Sequence, residues 1–130
     1  MKMNKKGFTL IELLAVIVIL AIIALIVTPV ISNIITSAKK AANARSVEGY
    51  AKDIQIAIMS AAFENGELDL SAYDTTTDLS ASIASGVTDR VVCTGHKIEN
   101  GTVKELTGCK VDNSAETYTF TETGGAKADN

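Results

Sequence analysis

The side chains able to do chemistry are few, and they fall in two places. Near the front, Glu12 stands one position ahead of a long apolar run. A carboxylate carried into hydrocarbon costs on the order of 3 kcal/mol at the bilayer centre and less near an interface, so Glu12 needs either headgroup water or a cation as partner. In the C-terminal half lie the only two cysteines, Cys93 and Cys109, with His96, the only histidine, three residues after the first and Asp112 three after the second. Four metal ligands on two hairpin knuckles can be drawn from that spacing, but aspartate is an uncommon fourth ligand for structural zinc. Two cysteines in an exported domain read more simply as one disulfide. His96 then reads as an exposed surface residue. The chain has no Gly-x-Ser-x-Gly elbow and no phosphate-binding loop, and its carboxylates are scattered. It therefore describes neither an enzyme nor a cofactor site.

The elements that carry these residues follow from where the apolar residues sit. No charge occurs from Leu13 to Ala38, and Leu13 to Ile31 is almost wholly Leu, Ile, Val and Ala. At the helical rise those positions span roughly 28 Å, close to the hydrocarbon thickness of a bilayer. One transmembrane helix is expected. Three lysines, Lys2, Lys5 and Lys6, precede it; Lys39, Lys40 and Arg45 follow. That balance favours a cytoplasmic N-terminus only slightly, and the cysteine pair adds weight to an exterior C-terminal part. Beyond Gly7 the chain carries nine basic against fifteen acidic side chains. Such a surface repels phosphates, which excludes nucleic-acid binding as a function class. A secretory signal would need a shorter apolar core with a small-x-small site just behind it, whereas Ala42-x-Ala44 lies well past the run and beyond two lysines.

The segment Lys5-Lys6-Gly7-Phe8-Thr9-Leu10-Ile11-Glu12-Leu13 resembles the processing motif of type IV prepilins and pseudopilins, and within that family a Gram-positive-like type IV pilin. The resemblance implies cleavage between Gly7 and Phe8, N-methylation of Phe8, and a role for Phe8 and Glu12 in assembly. It implies four segments: a leader at 1–7, a transmembrane and filament-core helix at 8–38, an amphipathic continuation at 39–65, and a small domain at 66–130. It also implies partners, namely the prepilin peptidase and methylase, an assembly platform with its motor ATPase, the membrane before assembly, and other copies of the chain. The location implied is a single-pass inner or cytoplasmic membrane precursor with an extracellular C-terminal domain, and then a cell-surface pilus. A pseudopilin of a type II secretion or competence machine has the same motif. A membrane-tethered extracellular binding module is the alternative of a different class. Cutting ahead of the apolar helix keeps that helix on the product, removes three lysines and creates a cation at Phe8 that can meet Glu12. Pro29 sits where the family commonly interrupts its helix, and by removing the bond to the Leu25 carbonyl it predicts a kink or loosening around Ala24 to Thr28.

An amphipathic pattern continues through Ala44, Val47, Tyr50, Ile54, Ala57, Ile58 and Ala61, predicting one helix from about Phe8 to Phe63 that stops at Asn65-Gly66. Beyond it the sequence predicts a loop over 67–76, a short helix over 78–85 capped by Thr77 and stopped by Gly86, and strands over 90–94, 97–99, 102–106, 109–112 and 117–121. Asn100-Gly101 is a hairpin turn. Counting outward from it puts Cys93 opposite Gly108, so a bulge at Gly108 is expected to bring the two cysteines together. The tail from Gly124 to Asn130 reads as disordered. The fold class is α+β: a long N-terminal helix, apolar then amphipathic, packed against a small antiparallel sheet.

Overall fold

A computed structural model of the protein describes residues 7–66, 69–76, 78–79, 81–84 and 86–129. Helix α1 runs from Leu10 to Asn65. Its stop is the expected one, with Gly66 at φ 68° just past the last helical residue. The chain divides into two units, Met1–Ala38 and Lys39–Asn130, and α1 contributes to both.

In the first unit every described residue is exposed. The helix there is built largely from Ile, Val, Leu and Ala. β-Branched residues are only moderate helix formers in water. In hydrocarbon, however, a helix satisfies all of its backbone groups within the segment, and α1 is long and apolar enough to cross a membrane. Two hydroxyls in this stretch fold back on their own helix, Thr28 Oγ1 donating to the Ala24 carbonyl at 2.6 Å and Thr36 Oγ1 to that of Ser32 at 2.9 Å. Neither therefore needs water.

In the second unit, α1 contributes Val47, Tyr50, Ala51, Ile54 and Ile58 to the core, and their three- and four-residue spacing keeps them on one face. Ala62, rather than Ala61, is the last buried position on that face. The cover is a five-stranded antiparallel sheet: β1 Val91–Val92, β2 Gly95–Glu99, β3 Thr102–Val111, β4 Tyr118–Thr121 and β5 Gly125–Ala128. β1 and β2 follow one another along one side of β3, β4 pairs its other side, and β5 pairs β4. Ile83, Val91, Ile98, Val103, Leu106, Cys109, Val111 and Tyr118 complete the core.

The structure departs from the sequence expectations in several places. The expected loop contains a 3-10 turn, Leu70–Tyr73, in which Asp69 accepts the Ser71 N–H. The short helix is α2, Ala81–Ala84, ending where Gly86 N–H donates to the Ile83 carbonyl at 3.0 Å. Its expected cap Thr77 and end Ser85, like Glu67 and leader residues 1–6, lie outside the described residues. What looked like separate strands at 102–106 and 109–112 is the single strand β3. The tail is not disordered: Gly125–Ala128 forms β5. Its composition lacks β-branched residues, but Ala126 and Ala128 pack against the core and Glu48 of α1 accepts the Ala126 N–H at 3.2 Å. Backbone pairing to β4 does the rest. His96 is buried, not exposed.

Register explains why β3 read as two strands. The Asn100-Gly101 turn pairs Glu99 with Thr102 and Ile98 with Val103, but Lys97 then pairs with Glu105, leaving Lys104 as an extra residue. A second shift against β4 falls between Leu106 and Cys109. Two irregularities turn the usual alternation into buried positions at Val103, Leu106, Cys109 and Val111. The shift at Lys104, not one at Gly108 as expected, continues into the Val91–Val111 pairing and sets Cys93 against Cys109. Gly108 has its own requirement. It sits at φ 60°, and a Cβ there would collide with the Thr94 hydroxyl, so this spot admits only glycine without rearrangement.

Candidate functional site

The N-terminal site is assembled by the start of α1. Gly7, Phe8 and Thr9 precede the helix and are exposed, Phe8 by 91%. Thr9 closes the helix end reciprocally with Glu12. Glu12 N–H donates to Thr9 Oγ1 at 3.3 Å and Thr9 N–H donates to Glu12 Oε2 at 3.0 Å, while the Thr9 carbonyl takes the first helical bond, from Leu13 N–H at 3.2 Å. This is a capping box, a threonine and a glutamate three residues apart that satisfy each other's backbone donors. Its signature, Thr9-x-x-Glu12 before an apolar run, was present in the sequence, and the reading of Glu12 as a charge in search of a partner passed over it. One carboxylate oxygen is thus engaged locally. Placed in the first turn, the charge also faces the positive end of the helix dipole.

From Leu13 to Val27 the helix offers only apolar surface, with Ile17, Leu20, Ile23 and Leu25 all exposed. Pro29 lies within α1, which runs unbroken through it. Because proline has no N–H, the Leu25 carbonyl has no such partner there. Thr28, directly before Pro29, bonds the Ala24 carbonyl.

The C-terminal residues singled out in the sequence have other roles. Cys93 and Cys109 form a disulfide across 16 residues of sequence. Asp112 receives two bonds from Arg90, Nε to Oδ1 at 3.0 Å and Nη2 to Oδ2 at 2.7 Å. His96 Nε2 and the Tyr50 hydroxyl share a bond of 3.2 Å, tying β2 to α1. The four residues once drawn as zinc ligands are therefore engaged elsewhere. A second tie joins α1 to β4: Asn43 Nδ2 donates to the Tyr118 hydroxyl at 3.3 Å, that hydroxyl donates to Glu116 Oε2 at 3.1 Å, and Lys40 pairs with Glu116 at 3.4 Å. Burial raises the phenol pKa of both Tyr50 and Tyr118, which keeps both hydroxyls neutral. These are the bonds of a packed domain. Among the described residues, no group of three or more His, Cys, Asp and Glu is placed to hold a metal ion.

Residues 2–28 match the family model described as "Prokaryotic N-terminal methylation motif". Neither a curated protein nor a solved structure matched the chain. A long apolar N-terminal helix followed by a small antiparallel sheet is an α+β, pilin-like architecture. The motif at the head of α1 supports a type IV pilin- or pseudopilin-like reading and a membrane-anchored precursor.

Proposed function

We propose that the chain is a non-enzymatic structural subunit of an extracellular type IV pilus. It is inserted as a single-pass precursor, cut between Gly7 and Phe8, methylated on the Phe8 amine and polymerised through α1. The leader is residues 1–7, residues 8–38 enter the filament core, and the domain beyond reaches the cell exterior, where its disulfide is stable. Its partners are the peptidase and methylase, the assembly platform with its motor, and further copies of itself. The carrying observation is that the helix of the first unit exposes only apolar side chains from Leu13 to Val27, within the span of the methylation motif, with one carboxylate, Glu12, at its head. Such a surface suits lipid first and identical helices afterwards.

Removal of the leader places an ammonium at Phe8, and Glu12 keeps acceptor capacity beyond its bond to Thr9. A pair between Glu12 of one copy and Phe8 of another need not add net stability. Leaving either charge buried alone costs roughly 3 to 5 kcal/mol, so the pair selects register. Pro29 supplies the point at which the core helix yields during packing.

Mass spectrometry of the surface protein should find methylated Phe8 as its first residue, and Glu12→Ala should be made and processed yet fail to form filaments. Glu12→Ala filaments at normal yield would remove Glu12 from assembly. An intact Met1 on the surface protein would overturn the processing reading, and a wild-type chain that stays a tethered monomer would favour the binding module.

A further inference from the structure

The start of α1 sets how the bond between Gly7 and Phe8 is offered to the peptidase. An amide inside a helix has its carbonyl hydrogen-bonded and side chains wound around it, so it must open before an enzyme can reach it. The apolar run behind this bond favours helix strongly, because in lipid every backbone group seeks an internal partner. Extending α1 one residue towards the leader would require Glu12 N–H to bond the Phe8 carbonyl. That donor is already taken by Thr9 Oγ1, and the Thr9 N–H, which would bond further back in a longer helix, is held by Glu12 Oε2. Gly7 and Phe8 accordingly lie outside the helix and exposed.

Resting on the reading that this bond is the one processed, we infer that Thr9 is a positioning residue for leader removal, its hydroxyl ending α1 short of Gly7–Phe8 so that the bond stays open to hydrolysis. The reaction adds one water across the Gly7 carbonyl carbon and the Phe8 nitrogen. Gly7 leaves with a carboxylate, and Phe8 keeps the new amine. Thr9 takes no part in the chemistry; it withholds one N–H from the helix.

The test uses the full chain in liposomes with prepilin peptidase, following initial rates of leader loss by mass spectrometry. Thr9→Ala lets the helix advance and should lower kcat/KM by about 3- to 10-fold, the range that loss of a threonine cap implies. Thr9→Ser keeps the acceptor and should be cut at the wild-type rate. The decisive variant adds Leu10→Pro to Thr9→Ala. Proline at the first helical position halts the helix without any hydroxyl and keeps the residue before it extended, so the double variant should recover most of the lost rate. Thr9→Ala cut as fast as wild type overturns the inference, as does a double variant no faster than Thr9→Ala, which would mean that the peptidase reads the hydroxyl directly. A wild-type chain not cut after Gly7 overturns the processing reading along with it.

Discussion

Among single residues, the clearest lesson concerns how charges find partners. Asp112 is exposed, yet two bonds from Arg90 hold its carboxyl below the ordinary carboxylate range, the hydrogen bonding acting first and the guanidinium charge adding to it. A carboxyl whose folded pKa is depressed contributes stability above its unfolded pKa and loses that contribution as pH falls through the folded value. Solvent screening keeps the contribution small. Carbon-detected NMR titration should place the Asp112 midpoint below the ordinary aspartate value, and Arg90→Ala should move it up. Equal midpoints in the two proteins would show that the pair does not persist in solution. Glu12 teaches the same lesson in reverse. Its need for a partner was legible from its position before an apolar run, whereas its bond to Thr9 depends on a local geometry that position alone does not reveal. His96 was misjudged because a lone histidine carries no periodic signal, and its contact with Tyr50 comes from a distant part of the chain.

At the level of elements, α1 was legible because its two patterns are long and unbroken: continuous apolarity first, then a stripe every three or four residues. The hairpin turn at Asn100-Gly101 was legible for a different reason, since residues 100 and 101 adopt φ 51° and 72° and those two residue types tolerate such values. The sheet beyond was read less well. Strand prediction assumes alternation, and β3 breaks it twice, so one strand looked like two. β5 lacked the usual residue types because an edge strand next to β4 needs only its backbone and two small alanines. The disulfide pairing was anticipated, although the bulge that aligns it lies at Lys104. Replacing both cysteines with serine frees a loop of 16 residues' separation and should cost about 3 kcal/mol by the chain-entropy estimate. Denaturant titration of oxidised wild type against the double serine variant measures this, and an unchanged midpoint would mean that packing around β3 alone fixes the strands.

For the whole molecule, apolar surface is divided sharply between the two units. One buries most of its apolar side chains against a sheet, leaving Ile56, Met59, Phe63 and Val92 exposed; the other exposes all of its described ones along a helix. A monomeric soluble protein rarely leaves so large a contiguous apolar surface in water. The full chain should accordingly partition into the detergent-rich phase on cloud-point separation, before and after leader removal alike. Recovery in the aqueous phase as a monomer would contradict both the lipid-facing and the filament-core roles of residues 8–38. The methylation motif spans only residues 2–28, so the surface of the sheet domain is carried by a part of the chain that the motif does not describe.

The extra residue at Lys104 has a consequence for how the sheet is held together. With perfectly regular pairing, counting from the Asn100-Gly101 turn would leave Cys93 facing Gly108, and its thiol would have no mate directly across. Leaving Lys104 outside the β2–β3 ladder is what brings Cys93 against Cys109 in this fold. The covalent bond thus ties β3 to the segment joining β1 and β2, an alignment that depends on a single residue left out of the ladder, and it holds that offset in place.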